Sequence, residues 1–155
     1  MSSQNRNFER VLEEKGYLVY GIHGVSMQPM LRQERDMVII RAAEGRLRRY
    51  DVALYRYPSG KYVLHRVIRA YPDGRYLIRG DNLYHNETTL RDENILGVLD
   101  AIVRDGKTIS AHSVRYKLYE RFWVWSYPLR KALHTIKGFL TEGLWAHLRM
   151  KRNKK

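Results

Sequence analysis

Lys61-Tyr-Val-Leu-His-Arg-Val-Ile68 is the stretch on which the fold turns. It is rich in β-branched and aromatic residues and bounded by turn chemistry, Pro58-Ser59-Gly60 before it and Pro72-Asp73-Gly74 after it. Such a run favours a pleated, partly buried strand, and Pro and Gly at its ends favour tight reversals. Similar runs are Asp36-Met-Val-Ile-Ile-Arg41, Asp51-Val-Ala-Leu-Tyr55, Arg75-Tyr-Leu-Ile-Arg79 and Gly97-Val-Leu-Asp-Ala-Ile-Val103, with Asp105-Gly106 as a further turn. Their close spacing leaves no room for crossover helices. Residues 17–112 therefore read as an antiparallel β domain and the chain as mainly β.

Outward from this centre the period changes. Phe8, Val11 and Leu12 stand at i, i+3, i+4, and Gly16 is placed to stop a short helix within residues 1–16. After residue 112 the helical spacing returns. Val114, Leu118 and Phe122 mark one segment, Pro128 breaks it or opens the next, and Leu129, Leu133, Ile136, Leu140, Leu144 and Leu148 follow at steps of three or four. Trp123, Trp125 and Trp145 lie there among Arg130, Lys131, Lys137 and Arg149, so residues 113–155 read as a basic amphipathic helical tail. There is no internal repeat, and low complexity is confined to Lys151-Arg-Asn-Lys-Lys155.

At 155 residues, 44% apolar and 29% charged, the composition is that of a globular chain with one core. The absence of cysteine excludes disulfide scaffolds, thiolate metal sites and cysteine nucleophiles. No cofactor and no metal site is read from the sequence. Lys and Arg number 29 against 16 Asp and Glu, a net +13, unevenly spread. Residues 1–114 carry 18 basic and 14 acidic groups, whereas residues 115–155 carry 11 basic groups against Glu120 and Glu142, a net +9. That asymmetry points to an anionic partner. An anionic membrane surface reached through residues 114–155 fits the leucine spacing and the tryptophans, and packing of the tail on the β domain is the alternative. No recognition motif accompanies the charge, which argues against nucleic acid. Nowhere do eighteen apolar residues run together, and Met1–Gln28 lacks a signal-peptide layout, so a cytoplasmic or peripheral membrane location is expected.

Three segments could carry chemistry. In Gly24-Val-Ser-Met-Gln-Pro-Met-Leu31, Ser26 sits where a rigid turn can hold a hydroxyl at a defined angle, because Pro29 fixes its own φ. In Leu64-His-Arg-Val-Ile68, period two puts His65 on one face with Val63 and Val67, and Leu64, Arg66 and Ile68 on the other. An imidazole there suits a neutral general base, and equally suits a core histidine with satisfied nitrogens. In Arg79-Gly-Asp-Asn82, Gly80 permits a tight turn and Asp81 could orient His65 by accepting a ring N–H.

The ordered set Ser26-Met27-Gln-Pro29-Met-Leu31, His65-Arg-Val-Ile68 and Arg79-Gly-Asp-Asn82 resembles type I signal peptidases and their LexA-like serine-peptidase relatives over about residues 17–104. The resemblance implies a LexA-like β fold, Ser26 as nucleophile and His65 as general base, similar to the archaeal and endoplasmic-reticulum subtype. It implies Met27 and Pro29 beside the substrate and a polypeptide precursor, with small residues before the cut, as that substrate. The lysine used by bacterial relatives is not in the base box; Lys61 lies four residues earlier. Arg35 and Tyr50 stand where the family has glycine before its two Asp-led strands, and Glu87, or less well Asp92, could supply the acidic residue beyond the Gly-Asp-Asn turn. Two other readings remain open. One is a LexA-type self-cleaving or dimerising regulator, against which stands the lack of an N-terminal helix-turn-helix; the other is a non-catalytic membrane-associated peptide-binding module, which would need neither Ser26 nor His65.

Overall fold

The structure is a computed structural model that describes residues 5–57 and 59–152, without the side chains of 5–7, 88–89 and 140–152. The Pro58 part of its predicted turn, residues 153–155 of the basic run, and the side chains of Leu140, Leu144, Trp145, Leu148 and Arg149 lie outside the described residues.

The expected antiparallel architecture is observed. After helix α1 (Asn5–Lys15) come β1 (Tyr17–Gly21), β2 (Asp36–Ala42), β3 (Val52–Arg56), β4 (Tyr62–Ala70), β5 (Arg75–Arg79), β6 (Glu87–Arg91), β7 (Ile95–Arg104) and β8 (Lys107–Ser110), then helices α2 (Val114–Trp125) and α3 (Tyr127–Arg152). The strands form one sheet in the order β1-β2-β7-β3-β4-β5-β6, with β8 also paired to β7. Every pairing is antiparallel. Gly16 stops α1 as expected: its φ is 73°, and its N–H donates to Leu12 O at 2.9 Å.

Alternation along the strands feeds two cores. Leu18, Val38, Ile40, Val52, Leu54, Leu99 and Ile102 gather with Leu12 of α1 and Met27, Met30 and Leu31 of the β1–β2 loop. Ala53, Tyr55, Val67, Tyr76, Ile78 and Leu90 form the second cluster. On β4 the split is visible residue by residue: Tyr62 and Leu64 pack on the first core, Val63 and Val67 on the second. Both sides of β4 are therefore covered, which is why the strand reads as a continuous apolar run.

The compact unit containing the sheet runs past residues 112/113, where the sequence places the start of the tail. Tyr116 of α2 enters the first core, Glu120 and Val124 are also buried, and the compact unit containing the sheet ends at Val124. The second unit begins at Trp125 and contains α3. Pro128 opens α3, sitting in its first turn, where a missing N–H leaves no helical bond unmade. Among the described residues no helix is long and apolar enough to cross a membrane.

Candidate active site

Ser26 lies in the long connection between β1 and β2, and buried charges hold that connection in place. Asp36, at the start of β2 and 1% exposed, accepts from Arg32 N at 2.8 Å, Arg32 Nε at 2.9 Å and Arg104 Nη2 at 2.6 Å. Burial alone would raise the Asp36 carboxyl, but the Arg104 and Arg32 hydrogen bonds outweigh it and hold its pKa below the ordinary value. Arg104 Nη2 also donates to Met30 O, pinning the loop from beneath. Met27 is buried as an anchor in the first core, while Pro29, joined to Gln28 by a cis peptide bond, is exposed.

The Gly-Asp-Asn turn braces the same loop from the other side. Asn82 N donates to Ser26 O at 2.8 Å, and Asn82 Nδ2 donates to Val25 O at 3.2 Å. Gly80 is required by this approach, because a Cβ there would stand 2.7 Å from Ser26 O. Any side chain at residue 80 would push on the residue carrying the hydroxyl.

Asp81 itself faces a different partner from the one expected. Its two carboxylate oxygens accept from Arg66 Nε at 2.8 Å and Arg66 Nη2 at 2.7 Å, a bidentate pair in which Arg66 is fully buried. Arg66 Nη1 donates to Tyr50 O at 3.0 Å, and Nη2 also lies 2.7 Å from Met30 Sδ. Tyr116 Oη donates to the same sulfur at 3.2 Å, and Trp123 Nε1 to Asp81 O at 3.0 Å. Burial works to lower the Arg66 pKa, but the Asp81 carboxylate overrides it and the guanidinium is held protonated. Asp81 with Arg66 therefore ties β4, the serine loop and α2 together, and the carboxylate within ion-pair distance of His65 is not Asp81 but Glu87, the alternative acid of the sequence reading.

The place beside His65 belongs to Glu87 and Tyr55. His65, on β4 opposite Ala53 of β3, is 4% exposed. Its Nδ1 lies 2.9 Å from Tyr55 Oη and 3.3 Å from Glu87 Oε1, and Tyr55 Oη donates to Glu87 Oε2 at 2.6 Å. The tautomer follows from where the Tyr55 proton lies. The Tyr55 hydroxyl has one proton, and burial together with Glu87 pushes its pKa far above normal, so the proton stays on oxygen and goes to Glu87. Toward His65 the hydroxyl can only accept, so Nδ1 carries the hydrogen and Nε2 the lone pair. Nε2 has no hydrogen-bond partner among the described residues. Burial lowers the His65 pKa below its ordinary value, with Glu87 pulling partly back. The imidazole is thus neutral at physiological pH, anchored through one nitrogen and unengaged at the other.

Ser26 and His65 line one cavity of about 450 Å³. Its walls are mostly apolar, with Leu18, Ile22, Ile40, Leu54 and Leu64 among them, and Phe8 stacks edge-on against Tyr20 at 4.8 Å nearby. Met27 lines it as well, Pro29 does not, and Lys61 reaches its rim from an exposed position before β4. The Ser26 and Met27 amides make no hydrogen bond among the described residues. Asp92, the other acidic candidate, instead accepts from the hydroxyl of Tyr76. No group of His, Asp and Glu that could hold a metal ion occurs among the described residues.

Sequence reasoning missed Tyr55 and the structural role of Arg66. Arg66 carried one signal, a cation inside an apolar strand one residue from a buried histidine. Tyr55 carried none until the β3–β4 register was known, because it meets His65 along the diagonal of the Ala53–His65 pair. Neither a protein-family model nor a curated protein matches the chain.

Proposed function

We propose that this protein is a serine endopeptidase of the signal-peptidase-like type, built on a LexA-like β fold, that cleaves a polypeptide precursor. The observation that carries the reading is that His65, held at Nδ1 by Tyr55 and Glu87, lines the same cavity as Ser26. In this reading Nε2 takes the Ser26 hydroxyl proton as Oγ attacks the scissile carbonyl carbon, and the imidazolium then returns it to the leaving amine. The acyl group left on Ser26 Oγ is removed by water, activated in turn by the same nitrogen. Glu87, beside Nδ1–H, stabilises the imidazolium between the two transfers. The Ser26 and Met27 amides are available to the developing oxyanion, a contribution of about 3–4 kcal/mol where such donors are well aimed.

The apolar cavity beside Ser26 supports a peptide side chain as the recognised group, and the small residues expected before the cut rest on the family resemblance alone. The test is cleavage of a peptide library, followed by mass spectrometry, with the wild type, Ser26→Ala and His65→Gln. Both variants should lose roughly a thousandfold or more in kcat/KM while melting near the wild type. Equal turnover by all three proteins would end the reading.

A further inference from the structure

We propose that α3 docks on the surface of an anionic lipid bilayer, lying in the headgroup region with its apolar row down. The row is made of Leu129, Leu133, Ile136 and Phe139, which are 64%, 58%, 54% and 72% exposed. On a helix advancing about 100° per residue, Leu129, Leu133 and Ile136 fall within about 60° of one another, with Phe139 beside them. In the sequence Leu140, Leu144 and Leu148 continue the same spacing. A contiguous apolar row of this length, exposed to water, marks a surface that meets another phase or molecule.

Charge selects the occupant. Arg130 and Lys137 flank the row on one side, Lys131 stands roughly opposite it, and over α3 six Lys and Arg face a single acid, Glu142. A second copy of the chain would bring the same positive charge to the contact, which opposes pairing. A nucleic acid would meet the cations but leave four large apolar side chains in water. Anionic lipid satisfies both, with acyl chains beneath the row and phosphates level with the flanking cations. The helix lies on the surface and does not span it, because no described helix is long and apolar enough to cross. This inference does not depend on the peptidase reading.

The test is flotation of the full chain with phosphatidylcholine vesicles, with and without phosphatidylglycerol. The wild type should float with the anionic vesicles alone, and less of it at high salt. Leu133→Glu/Ile136→Glu should bind at least about tenfold more weakly, and Lys131→Glu/Lys137→Glu should also weaken binding. Both variants should keep the wild-type melting temperature without vesicles, since the altered side chains are exposed. The proposal is overturned if the wild type does not float with anionic vesicles, or if Leu133→Glu/Ile136→Glu floats as well as the wild type. It is also overturned if duplex DNA captures both proteins equally while vesicles capture neither, or if sedimentation shows a dimer that the apolar-row variant abolishes without any vesicle binding.

Discussion

His65 and Arg66 are neighbours on β4, both almost wholly buried, yet their surroundings treat positive charge in opposite ways. For both side chains burial disfavours the charged form. Around Arg66 a bidentate carboxylate at 2.7–2.8 Å outweighs that penalty, and the cation is permanent. Around His65 the nearest carboxylate oxygen is 3.3 Å away, and Glu87 shares its charge with the Tyr55 hydroxyl. Burial wins there and the ring stays neutral. The difference teaches that a nearby acid does not settle the charge of a buried base; its geometry does. One side of the strand holds a fixed ion pair that braces the serine loop, and the other holds a neutral imidazole.

The comparison breaks most visibly at Arg66. Arg66→Met leaves Asp81 buried without its partner and should cost about 3–5 kcal/mol, read as a shift in urea-unfolding free energy. A variant as stable as the wild type would remove the brace from the account. His65→Gln should do the reverse, sparing most of the stability and losing the proposed peptidase activity.

A finer test compares the two carboxylates. Glu87→Gln removes the charge that raises the His65 pKa, so that pKa should fall further. In the proposed peptidase mechanism neutral imidazole is the active form, so kcat/KM should be full above the folded pKa and fall as pH drops through it. The acid limb should lie below 6.5, and Glu87→Gln should move it lower while reducing the plateau about tenfold or more. A limb that stays in place in Glu87→Gln would place the carboxylate outside the relay. The smallest effect belongs to Lys61→Met, which should stay within about threefold of wild-type kcat/KM, since the residue is exposed at the cavity rim. A large loss there would move the base from His65 to Lys61.

The sheet was legible where local chemistry alone decides structure. The runs led by Asp36, Asp51, Lys61, Arg75 and Gly97 all became strands, because β-branched residues between strong turn signals leave the backbone few alternatives. β6 carries Glu, Thr and Arg in five residues and was not singled out; its pairing with β5 makes it a strand. The serine and the histidine were legible as residue types in an ordered pattern. Their supports were not, because Glu87 and Tyr55 come from strands on opposite sides of β4 and meet only through the register. Asp81 misled for a related reason: sequence placed an acid near the histidine, but the buried guanidinium one residue further along had the stronger geometric claim on it.

The central claim is that one imidazole activates one hydroxyl, and covalent capture of that hydroxyl tests it most directly. A fluorophosphonate, which phosphonylates activated serines, is incubated with the wild type and with His65→Gln across a pH series, and the adduct is mapped by mass spectrometry. The account predicts a single adduct on Ser26 of the wild type, forming faster as the pH rises through a midpoint below 6.5, and essentially none in His65→Gln. An unmodified Ser26 in the wild type, or an adduct that forms equally fast without the imidazole, would contradict it.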